Sequence, residues 1–169
     1  MKNLLKVAAL IVVIGAVTIT TSCSKEAEKG ETGAAGTNGN ANVKSALFTV
    51  FPSEWQTSGN TIYISKTSSL ITADIANTGG VMLYIQSTNS TSWQALPYTF
   101  PNGSSSLMYR FWHSENYLEI DIYGESSAPT VTSNREFKMV VFSSTARLAN
   151  PNIDYTDYEQ VKATFNLED

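Results

Sequence analysis

The sequence predicts an all-β protein: a single β-sandwich, Ig-like or jelly-roll-like, of about seven or eight antiparallel strands with one short C-terminal helix. Three observations predict it. Beyond Val43 apolar residues recur with period two in short runs, the period of strands that turn alternate side chains toward a core. Ser, Thr, Asn and Gly split these runs at the spacing of sandwich turns. The 126 residues from 44 to 169 amount to one domain, enough to bury roughly two-thirds of the unfolded surface in one core.

In chain order, residues 1–22 read as an export signal. Lys2 and Lys6 open it, and the apolar run Val7 to Val17 has 11 residues, or 13 with Thr18 and Ile19. A bilayer-spanning helix needs roughly 20, so this is a signal core and not a permanent anchor. Thr20, Thr21 and Ser22 stand directly before Cys23, the one cysteine of the chain, which leaves no partner for an internal disulfide. The arrangement resembles a bacterial lipoprotein signal, although Thr20 stands where that family usually has Leu. The resemblance implies cleavage between Ser22 and Cys23, a diacylated thiol and an acylated new N-terminus. An ordinary signal followed by a free or pairing thiol is the alternative. Each buried lipid methylene contributes about 0.8 kcal/mol, so two or more chains hold a protein stably. Ser24, Lys25, Glu26, Ala27 and Glu28 resemble the short Lys-plus-acid tag that sends Bacteroidota lipoproteins to the outer face of the outer membrane. A lipid-anchored, cell-surface position on the outer membrane is the expectation, with its inner leaflet as the alternative.

Residues 23–43 form a linker in which Gly30, Gly33, Gly36 and Gly39 fall every third position. A collagen triple helix requires that spacing because only hydrogen fits at its axis, but four triplets without proline are too few to hold one. A flexible spacer, and a monomer in preference to a trimer, are expected. As a coil, its 20 steps from Cys23 to Val43 would reach roughly 25 Å. The ending Gly36 to Val43 resembles the truncated collagen-like stubs of small Bacteroidota surface lipoproteins. That resemblance implies a β-rich domain beyond the stub and assigns it no function.

Within the domain, the alternation places strands at Ala46 to Phe51, Ile62 to Ser65, Val81 to Gln86, Trp93 to Phe100, Leu107 to Trp112, Tyr117 to Tyr123 and Phe137 to Ser143. Leu70, Ile71 and Ile75, three to four apart, suggest one helical turn ended by Gly79 and Gly80. Leu107 to Tyr123 reads as a hairpin. A four-residue loop, His113 to Asn116, would pair Trp112 with Tyr117, Phe111 with Leu118, Arg110 with Glu119 and Met108 with Asp121. Leu107, Tyr109 and Phe111 then share a face with Leu118, Ile120 and Ile122, and a slip of one residue would turn all of them to solvent. The Arg110–Glu119 pair would add a few tenths to about 1 kcal/mol. Thr156 followed by Glu159 has capping-box spacing, predicting a closing helix over roughly 157–165 with Tyr158, Val161 and Phe165 in one stripe, packed on a sheet edge or over one end.

The formal charge is −4; losing Lys2 and Lys6 with the signal takes Lys plus Arg from 11 to 9 against 15 acids, a mature charge of −6. An acidic surface without a basic cluster argues against nucleic acid as a partner. The single histidine, His113, falls in the expected hairpin loop, remote from any nucleophile and acid that could complete a triad. One His and an acylated Cys leave no usual zinc site, and no cofactor motif is present. Glu119 and Asp121, about 6.6 Å apart along a strand, approach an inverting glycosidase spacing. They share one side of one strand, however, and Arg110 would keep Glu119 ionised, so they read as a solvated face. Asn150, Asn152, Asp154 and Thr156 alternate like the first ligands of a calcium loop, but Tyr155 replaces the turn Gly and Val161 the bidentate Glu, so Asx-turn chemistry is the simpler reading. Trp55 and Trp93 read as core or edge packing.

The remaining signal is aromatic. The register puts Trp112, Tyr117 and Tyr123 on the outward face with Arg110, Glu119 and Asp121, and aromatic plates flanked by hydrogen-bonding groups suit sugar or protein recognition. Expected, then, is a non-enzymatic binding or envelope-structural module held to the membrane by its lipid, with a glycan or an envelope protein as partner. A carbohydrate-capture accessory of an outer-membrane uptake system is the alternative, and an enzyme acting on surface polymer ranks below both.

Overall fold

The computed structural model describes residues 42–87 and 90–168. The expected signal, Ser22 and Cys23, and the Gly-spaced linker as far as residue 41 lie outside the described residues.

Among the described residues nine strands form two antiparallel sheets. β1 (Val43–Val50), β4 (Gly80–Gln86), β5 (Trp93–Ala95) and β9 (Arg135–Phe142) make a four-stranded sheet in the order β1-β9-β4-β5. β2 (Gln56–Ser58), β3 (Thr61–Thr67), β6 (Tyr98–Asn102), β7 (Ser105–Ser114) and β8 (Tyr117–Gly124) make a five-stranded sheet in the order β2-β3-β8-β7-β6. The sheets pack as a sandwich around one apolar core, in which Ile62, Ile64, Leu118, Ile120 and Ile122 meet Leu83, Ile85, Phe137, Met139 and Val141. The period-two pattern is thereby explained strand by strand. A fully buried aliphatic or aromatic side chain contributes about 1.5–3 kcal/mol relative to exposure, and each alternate residue supplies one.

Among the described residues three short α-helices are present, where a closing helix and one helical turn were expected: α1 (Ala73–Asn77), α2 (Ser144–Ala149) and α3 (Tyr158–Phe165), with a 3-10 turn at Pro52–Glu54. α1 falls in the stretch where a turn was expected, but it begins at Ala73 behind the Thr72 cap, so of Leu70, Ile71 and Ile75 it contains only Ile75. α2 escapes the sequence reading because six residues leave too short a stripe for helical periodicity to register; Ser143 caps it by accepting the Ala146 N–H. α3 covers the outer face of the four-stranded sheet on the side of its edge strand β5, as the expected edge packing has it. Its Tyr158, Val161 and Phe165 join Val43, Tyr84, Val140 and Phe142 in a second apolar cluster. β9 is therefore buried on both faces, which is why its run FKMVVF is nearly continuous rather than alternating.

Other expectations require correction. The run Trp93 to Phe100 is two strands in different sheets, broken at Leu96–Pro97: proline has no N–H to continue a ladder, and the chain crosses there from one sheet to the other. β2 is three exposed residues with no apolar signature. The helix cap is Asp157, which accepts the Gln160 N–H at 3.2 Å; Thr156 instead gives its N–H and hydroxyl to Asp154. The hairpin turns on two residues, Glu115 and Asn116, not four, so Ser114 pairs with Tyr117 and the register moves by two residues. Asn116 takes the left-handed conformation at φ 56°, a region Asn tolerates better than most residues. Its N–H donates to Ile71 O and its carbonyl accepts from Ser68 N–H, tying the hairpin tip to the segment before α1. A shift of two preserves every facing, so the apolar set still meets the core.

Candidate functional site

The outward face of the five-stranded sheet is built in rows, one residue per strand. Ser65, Glu119 and Trp112 form one row, Tyr63, Asp121 and Arg110 the next, then Thr61, Tyr123 and Met108; on the other side lie Thr67, Tyr117 and Ser114. The alternation that sends Ile62, Ile64, Ile120 and Ile122 inward obliges these neighbours to point out. The six residues expected on the face, Arg110, Trp112, Tyr117, Glu119, Asp121 and Tyr123, all occupy it. Trp112 is 57 % exposed, and Tyr117, Tyr123 and Met108 are also open to solvent.

The corrected register changes the charge pairing. Arg110 lies opposite Asp121, not Glu119, with Nε donating to Oδ1 at 2.7 Å and a second guanidinium nitrogen to Oδ2 at 3.3 Å. Trp112 Nε1 donates to the same Oδ2 at 3.0 Å. Although on the outward side, Asp121 is only 5 % exposed, because Arg110 and Trp112 lie against it. Arg110 also sits 5.6 Å from the centre of the Tyr123 ring, a cation–π contact. Glu119 accepts from the Tyr117 hydroxyl, which lies 3.2 Å from Ser65 Oγ. Donation to Glu119 pushes the Tyr117 hydroxyl above its ordinary range, the Ser65 bond working the other way. Tyr63 donates to Gln56 at 3.0 Å. Tyr63, Ser65, Gln56 and Met108 were missed in the sequence. The alternation of Tyr63 and Ser65 with Ile62 and Ile64 carries the signal, but only once β3 is known to lie beside β8.

The other candidate residues lie elsewhere. His113 is a strand residue of β7 opposite Leu118, not a loop residue, and stacks near Phe111; partial burial lowers its pKa. Asn150 ends α2 and Asp154 forms an Asx turn with Thr156, which holds its carboxyl below the usual range. Among the described residues no group of three or more His, Cys, Asp and Glu gathers at metal-binding distance. Trp55 packs against the core, and Trp93 packs beside Tyr158 and Lys138 under α3. No helix of the described residues is long and apolar enough to cross a membrane. Chemically, the face offers fixed aromatic plates, hydroxyls and one carboxylate, Glu119, outside the Arg110–Asp121 ion pair. Compared with protein-family models, curated proteins and solved structures, the chain matches none.

Proposed function

We propose that the chain is a lipid-anchored, cell-surface lipoprotein of the outer membrane whose β-sandwich, of the Ig-like or jelly-roll-like kind, is a non-enzymatic binding or envelope-structural module. Its working surface is the outward face of the five-stranded sheet, and its partner there is a glycan or an envelope protein. The observation that carries the reading is Trp112: a large aromatic exposed over more than half its surface, yet held in one orientation by a buried carboxylate. An unused surface tryptophan would need no such support, whereas an anchor residue held ready avoids part of the ordering cost of binding. The lipid anchor rests on the sequence pattern ending at Cys23 and on the resemblances drawn from it.

Two measurements test the proposal. The full chain, solubilised in detergent, is presented to arrays of glycans and purified envelope proteins beside a Trp112→Ala, Tyr117→Ala double variant of equal melting temperature. Binding by the wild type with a loss of about tenfold or more in the variant is expected; equal binding by both sinks the working surface. Mass spectrometry of the N-terminal peptide is expected to find a thioether-linked lipid on Cys23, and an unmodified thiol removes the anchor.

A further inference from the structure

The proposed face carries its own indication of ligand class. Its polar groups are largely paired internally. Asp121 takes both Arg110 and the Trp112 N–H, Glu119 takes the Tyr117 hydroxyl, and Gln56 takes the Tyr63 hydroxyl. What remains outward is exposed ring surface of Trp112, Tyr117 and Tyr123, beside oxygen atoms that retain acceptor capacity.

Resting on the reading of this face as a binding surface, we infer that its ligand is an uncharged polysaccharide strand lying along β8. Charge supports this choice. Arg110, the cation of these rows, is already bidentate to Asp121, so no unspent positive group faces outward to hold a phosphate, sulfate or uronate. Glu119 and the net charge of −4 oppose polyanions further. A protein partner fits less well: protein hot spots are aromatic or arginine anchors in water-free pockets, whereas these plates lie open with Met108 as the exposed aliphatic neighbour. Sugar rings present apolar C–H faces to aromatic plates and hydroxyls to Glu119, Ser65 and the tyrosine oxygens, which are the groups displayed here. Tyr117 and Tyr123 stand six residues apart on β8, about 20 Å. From Tyr63 across β8 to Arg110 is two strand spacings, about 10 Å. A footprint this long and narrow suits an extended chain, not a single sugar.

Native affinity gels test the inference using the full chain in detergent. Amylopectin, laminarin, galactomannan and hydroxyethyl cellulose serve as neutral probes, and alginate and heparin as polyanions. At least one neutral polymer is expected to retard the wild type, with no change on adding salt. Its dissociation constant should rise about tenfold or more in the Trp112→Ala, Tyr117→Ala double variant. It should stay close to the wild-type value in Leu148→Ala, at an exposed position on α2. Failure of every neutral polymer to retard the wild type, or retardation by alginate or heparin alone, overturns the glycan assignment. If in that case an arrayed envelope protein binds and the double variant loses it, the face survives as a binding surface with a different ligand. If a neutral polymer retards the wild type and the double variant equally, the assignment and the face fall together.

Discussion

At Asp121, one carboxylate receives Arg110 and Trp112, and through Arg110 it also sets the contact with Tyr123. Removing it leaves a guanidinium and an indole N–H without their acceptor. Arg110 is about one-third exposed and recovers part of its loss in water. Asp121→Ala is therefore expected to lower unfolding free energy by about 1–3 kcal/mol, measured by urea denaturation, and to red-shift Trp112 fluorescence. Gly124 is constrained differently. A Cβ built there would lie 2.0 Å from the Ser127 carbonyl oxygen, at the point where β8 turns into the following loop. Gly124→Ala must displace that backbone and is expected to cost about 1–3 kcal/mol in the same assay. A cost within a few tenths would show that the 124–127 turn relaxes freely.

At the level of elements, the most legible parts were those in which side-chain facing alone decides the outcome. The β7–β8 hairpin is an example. Its inward set was readable because a slip of one residue exposes six apolar side chains, but a slip of two exposes none, so pattern alone could not separate the two registers. The turn decided: Asn116 accepts the left-handed conformation that closes the hairpin in two residues, and Ser68 and Ile71 hold it there. The closing helix shows the same limit. Thr156, Asp157 and Glu159 all read as capping chemistry, and the choice of Asp157 depends on Asp154 having already engaged Thr156. Asp157→Ala is expected to cost about 1 kcal/mol by loss of the N-cap, while Thr156→Val should disturb the turn before α3 and not the cap. Hydrogen exchange at the Gln160 amide distinguishes them, rising in the first variant and not in the second.

For the molecule as a whole, stability should fall on both sides of neutrality for assignable reasons. The Phe51 N–H and Lys66 hold Glu54 below its ordinary 4.5, and Thr156 holds Asp154 below 3.8. Depressed carboxyls contribute stability above their unfolded values and lose it as pH falls through the folded ones. His113, depressed from 6.5 by burial, follows the same sign and starts the decline earlier. Tyr84 runs the other way. Burial beneath α3 raises its hydroxyl far above 10.0, and the hydroxyl donates to Tyr155 O at 2.7 Å. Its contribution is complete below the unfolded value and is lost as pH climbs from about 10 toward the folded one. A melting-temperature profile should be flat from about pH 7 to 9, descend gently in acid and fall in strong alkali, and Tyr84→Phe should flatten the alkaline limb.

The candidate face was legible for a related reason. Outwardness follows from parity, so all six predicted residues reach it whichever of the two hairpin registers holds. The burial of Asp121, and the addition of Tyr63, Ser65 and Gln56, depend on which strands lie side by side, a long-range choice that no local pattern encodes.

Lys138 interrupts the apolar run of β9 and ends only 2 % exposed, its Nζ 2.8 Å from the Tyr158 hydroxyl and within 5 Å of the ring centres of both Trp93 and Tyr158. That placement makes the residue a natural clock for the helix above it. Amine-acylating reagents and trypsin should pass over position 138 for as long as α3 stays seated and take it once the helix lifts away. The rate at which one peptide acquires its label would then time the loosening of this layer, with no probe added to the chain.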